Sequence, residues 1–400
     1  MSSLSKSARF PLFILMLNLF IALLGQGMVI PILPEYLKLF NASGAAAGYL
    51  IAAFGAAQFI FSPIGGQLSD KWGRKSMIIS GMFLTVLSDL IFAVSTTLPL
   101  LYIARFIGGI GIGIMVPSNM AYVADITTHE TRAKGMGYLG ASMNLGMVLG
   151  PGLGGIIAGF GIRMPYFFAG GLGLIATILC FYMPETLPKE KRKSVNKQAT
   201  RESIRNQIVN SFRTSYFRYL LLILIMTFGL MNYETVYALF VEQKYGFDAT
   251  KISIIITVGA IIGIIVQIWL LDHLIKRLGE IKLIRISLVM TAITLLLMIF
   301  KINLGYLLVV SGLFFAFNAF LRPTVSTLIA NSAGDRQGYA AGLNTTYTSI
   351  GNILGPILAG LMFDKHINIP YIFGAIILAS AFFITLQKPK KEQERSVAHD

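Results

Sequence analysis

The chain has 400 residues, of which 55% are hydrophobic and only 13% charged, and its mean hydropathy is +0.71. Soluble domains carry about 25% charged residues, so a soluble globular protein is excluded. The formal net charge of +15 would suit a nucleic-acid partner, but the basic residues fall almost entirely in short segments between apolar runs, and no such partner is expected.

Twelve apolar runs are long enough to cross a bilayer, which takes about 20 residues. They cover roughly 10–34, 45–69, 76–96, 98–123, 134–159 and 164–184, then 217–240, 250–272, 281–300, 303–330, 337–362 and 369–387. No small-residue cleavage site follows the first run, so it is expected to stay as a membrane helix. The expected fold is an all-α membrane protein of 12 transmembrane helices in two pseudo-symmetric six-helix bundles. The N-terminal bundle would be 1–184 and the C-terminal bundle 217–388, joined by a basic linker 185–216 and followed by a tail 389–400. An even number of spans puts both termini on one side. That side holds 25 of the 33 Lys and Arg residues; the other holds six, namely Lys38, Arg163, Lys244, Lys251, Lys301 and Lys365. The imbalance predicts both termini, linker and tail in the cytoplasm of a cell-membrane protein, with the linker lying on anionic lipid headgroups.

The two halves echo each other. Gly146-Met-Val-Leu-Gly150-Pro151-Gly-Leu-Gly154-Gly155 returns 205 residues later as Gly351-Asn-Ile-Leu-Gly355-Pro356-Ile-Leu-Ala-Gly360. Glycines four apart form a bare stripe on a helix, and small-residue faces let helix backbones approach closely in lipid. The proline in each copy removes one backbone hydrogen bond and is expected to kink the helix. Pro117 precedes Asp125 as Pro323 precedes Asn331, and Asp70 near Gly73 and Arg74 is loosely echoed by Asp272 near Arg277 and Gly279. Paired halves flanking a pathway are an architecture of secondary transporters.

Charged groups within the spans are the functional candidates, because each costs about 2.5–3.5 kcal/mol at mid-bilayer even on the lenient insertion scale. Glu234 lies well inside the seventh run, with Met231 and Tyr237 on its helical face and Tyr233 beside it. A carboxyl there can take up and release a proton, and when ionised beside aromatic rings it would attract a lipophilic cation. The alternative is a glutamate satisfied by a neighbouring helix. Arg105 and Arg322 are the bases within runs, each either functional or a structural partner. Gln26, Gln58, Asn144, Asn318 and Asn344 are candidate polar lining. Phe54, Tyr138, Met143, Phe314, Phe317 and Tyr347 could line a greasy pocket or equally face lipid or core. The one cysteine, Cys180, lies inside an apolar run, which leaves no disulfide framework or thiolate metal site. No catalytic set or metal-ligand spacing occurs, so neither an enzyme nor a cofactor is expected.

Several motifs resemble those of the major facilitator superfamily along almost the whole chain. Gly66-Gln-Leu-Ser-Asp70-Lys-Trp-Gly73-Arg74-Lys75 is similar to its loop signature G-x-L-x-D-x-x-G-R-K, and Tyr102-Ile-Ala-Arg105-Phe-Ile-Gly-Gly109 to its helix 4 arginine motif. Gly146–Gly155 looks like the helix 5 motif of its drug:proton antiporters. Met28–Pro34, Ala53–Pro63, Arg163–Ala169, Phe228–Tyr237 and Gly342–Asn352 resemble the NorA/Bmr group of Gram-positive multidrug exporters.

The resemblance implies proton-driven export of dyes, quaternary ammonium compounds and fluoroquinolones, with small-molecule drugs, protons and membrane lipid as partners and a functional monomer. It implies that Glu234, Arg105 and Arg322 couple protons to transport. Gly66, Asp70, Gly73, Arg74, Lys75 and Asp125 would then form a conformational latch, and the two glycine stripes with their prolines a packing hinge. One departure stands out: the group carries an aspartate three residues before the helix 10 arginine, and Ala319 stands there in this chain. An exporter of an endogenous metabolite, lipid or siderophore on the same fold is the alternative. One proton exchanged for one monovalent cation would move no net charge, leaving the pH gradient, ~1.4 kcal/mol per unit, as the only drive.

Overall fold

The computed structural model describes residues 6–188, 192 and 204–386. Most of the linker's basic stretch and the whole tail 389–400 lie outside them. Thirteen α-helices and one 3-10 turn, with no strand, make up the described residues. The first six helices are α1 (Lys6–Lys38), α2 (Gly44–Trp72), α3 (Arg74–Val94), α4 (Leu98–Ile126), α5 (His129–Ala158) and α6 (Met164–Cys180). A short α7 (Ile204–Ser211) falls in the expected linker. Then come α8 (Phe217–Tyr245), α9 (Ala249–Leu278), α10 (Glu280–Leu297), α11 (Leu304–Ser332), α12 (Gln337–Lys365) and α13 (Ile369–Leu386).

Twelve long helices thus stand where twelve apolar runs were read. Ten are long and apolar enough to cross a membrane. The other two are α6, apolar but 17 residues long, and α10, whose first turns carry Glu280, Lys282 and Arg285. Several helices outrun their apolar cores, as α1 does by reaching Lys38. A helix has no reason to stop where hydropathy falls, because its polar ends emerge among headgroups and water.

The chain divides into two compact units that cut across helices. One comprises α1–α6 with Glu234–Ile261 and Pro356–Pro370; the other comprises α7, the first part of α8, Ile262–Gly355 and α13.

In the first unit, α1 packs on α5 and α6, while α4 packs on α2 and α3. The α5 stripe explains the α1 contact. A Cβ at Gly146 would lie 2.5 Å from Phe20 O and one at Gly150 2.6 Å from Leu24 O, while one at Gly154 would run into Met28 O. All three contacts are backbone against backbone, which only glycine allows. On another face Gly155 meets Ser253 of α9, and Thr250 Oγ1 donates to Gly155 O at 3.4 Å.

In the second unit the echo is looser. A Cβ at Gly351 would lie 3.0 Å from Phe228 N, and one at Gly355 2.8 Å from Met231 Cβ and 3.0 Å from Phe228 O. The last glycine of that stripe, Gly360, belongs to the first unit and meets Gly44 O of α2, while Gly48 meets Pro356 O.

Candidate functional site

Glu234 stands mid-way along α8, a helix made continuous by its apolar flanks on both sides. Its side chain is partly buried and makes no hydrogen bond or ion pair with any described residue. An ionised carboxylate without a partner in an apolar span is costly, whereas a protonated one is tolerable. The position therefore suits a group that gains and loses a proton, or one that pairs with a cation from outside the protein.

The aromatic candidates divide. Tyr237 is buried. Tyr233, also buried, packs on Phe314 with ring centroids 4.0 Å apart and edge-on to Phe315 and Tyr371. Phe54 is packed against Gly108 and Gly109 of α4. Tyr347 is buried and shares a 2.6 Å hydrogen bond with Ser211 of α7. Asn344 donates to Ser326 Oγ at 3.1 Å. Gln26, Gln58, Tyr138, Met143, Phe317 and Asn318 keep part of their surface exposed, and Asn144 is exposed.

The two arginines differ as well. Arg105 of α4 is partly buried, its guanidinium carbon 5.0 Å from the Phe92 ring centroid and its Nε without a hydrogen-bond partner. Arg322 of α11 keeps accessible surface and forms no ion pair with a described residue.

The six loop-signature residues do not all converge. Gly73 ends α2 with φ 102°, a left-handed conformation that a side chain would strain. A Cβ there would also strike the Glu185 carboxylate. Gly279 repeats the positive φ, 76°, at the corresponding α9–α10 turn. Arg74 pairs with Asp70 and, at 3.3 Å, with Asp125, and donates to Ser69 Oγ at 3.2 Å. Glu185 Oε1 accepts the Arg74 backbone N–H at 2.9 Å, and Thr186 donates to Asp125 at 2.9 Å. Lys75 turns away to the Phe181 carbonyl at the end of α6, 2.7 Å. Gly66 has open space where a Cβ would sit.

The opposite end of the first unit holds a cluster that the sequence did not suggest. Asp364 of α12 accepts the first amides of α2, Gly44 N at 2.6 Å and Ala45 N at 3.0 Å. Those amides are among the unpaired donors of any helix start, and Ser43 provides no side-chain cap. Lys38 of α1 pairs there with Glu242 of α8. Asp89, inside the third apolar run, was also missed; a search for every carboxyl within a run would have found it, whereas nothing local marks Asp364 as a cap.

A bundle of apolar helices long enough to cross a membrane, with charged groups in mid-span, defines a multi-pass membrane protein. The sequence profile of the Major Facilitator Superfamily matches residues 15–273 and 270–399, and this chain belongs to that superfamily. It is 40% identical to "Multidrug resistance protein 2" of Bacillus subtilis, over 95% of this chain and 96% of that protein. It is 37% identical to "Quinolone resistance protein NorA" of Staphylococcus aureus, over 94% of this chain and 96% of that one. The crystal structure of the nucleoside transporter NupG superposes with a TM-score of 0.77 at 16% identity, covering 94% of this chain and 99% of the other. At that identity the likeness concerns the fold.

Proposed function

We propose that this chain exports hydrophobic, often cationic drugs from the cytoplasm across the cell membrane in exchange for protons. The observation that carries the proposal is Glu234, a carboxyl in mid-span with no partner among the described residues. The names of the two curated relatives support the drug-export part; the chemistry of an unpaired intramembrane carboxyl supports the proton part.

The halves 1–184 and 217–388 alternate between facing outward and inward. From outside, a proton neutralises Glu234 and the drug leaves. From inside, the proton departs, and the charged carboxylate with its aromatic surroundings recruits the next cation. Arg105 and Arg322 respond to that change of charge. Within the first unit, Gln26, Gln58 and Met143 keep exposed surface and are the groups that meet the drug. The Arg74 cluster holds one end during the cycle, the glycine stripes of α5 and α12 supply faces along which helices slide, and the monomer suffices. The 25-to-six division of basic residues supports termini and linker on the cytoplasmic side.

The test is ethidium transport by purified protein in liposomes under an imposed pH gradient. The wild type concentrates the dye, and Glu234→Gln loses at least tenfold in gradient-driven rate while binding ethidium more weakly. Undiminished pumping by Glu234→Gln would remove the assignment.

A further inference from the structure

The first six helices hold a second carboxyl that Glu234 leaves unexplained. Asp89 of α3 is partly buried and accepts no hydrogen bond from a described residue. Helices α1, α4 and α6 surround it. A Cβ at Gly25 of α1 would lie 3.5 Å from Asp89 Oδ2, and one at Gly170 of α6 3.8 Å from Asp89 Cβ. Ser88 donates to Ala104 O at 2.7 Å, pinning α3 to α4 one residue away from both Asp89 and Arg105. The Arg105 guanidinium acts on Asp89 electrostatically, yet the two form no ion pair; the guanidinium stands over the Phe92 ring.

Two further polar atoms in this cluster lack a hydrogen bond of normal geometry, Arg105 Nε and the Oη of Tyr166, although the guanidinium lies beside that hydroxyl. Tyr166 is only 2% exposed and stacks on Phe92 with centroids 4.3 Å apart. Tyr36 of α1 lies behind it, ring centroids 5.3 Å apart, with its hydroxyl donated to Phe92 O. The charged and titratable groups around Asp89 are therefore Arg105 from α4 and Tyr166 from α6, with Tyr36 of α1 beyond. Arg163, at the start of α6, is engaged with Ser95 O at 3.0 Å. Helix α2 carries no charged residue before Asp70, and its Tyr49 lies by Tyr102.

A carboxyl in apolar surroundings persists in two ways, neutral with a proton or ionised against a cation. Here acid and base stand together but unjoined, with polar atoms lacking hydrogen bonds around them and the Asp89 side chain only partly buried. We propose that Asp89 is a second proton-exchanging carboxyl of the transport cycle, closing on Arg105 when ionised and releasing it on taking up a proton from water. The proposal rests on the proton-coupled export reading and extends it. With Glu234 and Asp89 each exchanging one proton, two protons enter for one monovalent cation, and each turnover moves one net charge. Glu234 alone would make the exchange electroneutral.

The test separates the two readings. Ethidium transport by the full chain in liposomes is driven by a pH gradient alone or by a potassium–valinomycin potential alone. Wild type is expected to respond to both, several-fold to the potential. Asp89→Asn is expected to keep the pH-gradient response and lose the voltage response, and Asp89→Glu to keep both. A wild type driven by pH but blind to voltage overturns this proposal and leaves the export reading standing, as does a voltage response that survives in Asp89→Asn. A wild type driven by neither gradient overturns both. Should Asp89→Asn fail to fold, the protons moved per ethidium by wild type decide: two support the proposal and one overturns it.

Discussion

The two ends of the first unit are held by different kinds of contact. At the Asp70 end every recorded partner belongs to the first six helices or the few residues just after them: Arg74 reaches Asp70, Asp125 and Ser69, and Glu185 takes its backbone N–H. At the Lys38 end the contacts join early helices to late ones, with Asp364 of α12 capping α2 and Glu242 of α8 pairing with Lys38. On the proposed export cycle, a contact internal to the first six helices persists, whereas one that joins α1 or α2 to α8 or α12 breaks and re-forms. On that reading the Arg74 cluster stabilises the fold, and the Asp364 and Lys38 contacts bias a conformational equilibrium.

Substitutions sharpen that comparison, beginning with the spine on which both ends depend. Gly154→Leu places a side chain against the α1 backbone at Met28. Overpacking costs about 1–3 kcal/mol even where side chains can shift, and a backbone cannot. The variant is expected to express little folded protein, read by gel filtration in detergent, whereas Gly351→Ala, whose Cβ would sit 3.0 Å from Phe228 N, is expected to fold with a lowered denaturation midpoint.

Arg74→Ala leaves Asp70 and Asp125 facing each other without their cation. Removing a charged hydrogen-bond partner costs about 1–3 kcal/mol, toward the lower figure here because the Asp70 side chain is 52% exposed. The expected outcome is a clear fall in the thermal denaturation midpoint.

Asp364→Asn weakens an anion at a helix start, an effect of about 0.5–2 kcal/mol. If the contact bias is real, the melting temperature moves little. Reactivity of a cysteine placed at Ala45 with a membrane-impermeant maleimide instead rises about fivefold, the shift that ~1 kcal/mol produces in a two-state equilibrium. An equal fall in stability and no change in accessibility would show the two ends to be alike.

Lys38→Gln comes last. With a lysine side chain 66% exposed, the pair is expected to contribute under ~1 kcal/mol. A double-mutant cycle with Glu242→Gln measures it, and its salt dependence distinguishes it from the Arg74 cluster.

Much of this architecture was legible in the chain. Hydropathy alone locates the spans, because lipid demands that every crossing backbone be helical and apolar, and the repeated glycine–proline segment announces two related halves. Glu234 could be singled out for the same reason, as a charge where lipid penalises charge. Asp89 met that criterion equally and differs only in sitting within an otherwise ordinary run. The roles of Tyr233, Tyr347 and Phe314 were not legible: an aromatic in an apolar helix looks the same whether it lines a route, faces lipid or, as with Tyr233 on Phe314, fills a helix contact.

What the sequence by itself determined is thus the helical membrane class, the positions of the spans and the presence of a carboxyl out of place in the eighth helix. The tertiary structure decided the partnerships: that Asp364 caps a helix starting 320 residues earlier, that Arg105 stands beside Asp89, and that the α5 stripe meets the α1 backbone more closely than Gly351 and Gly355 meet α8. Hydropathy belongs to a segment and survives without its neighbours. A partner is fixed only when helices meet, since the same carboxylate caps, pairs or titrates according to which donors the packing brings within reach.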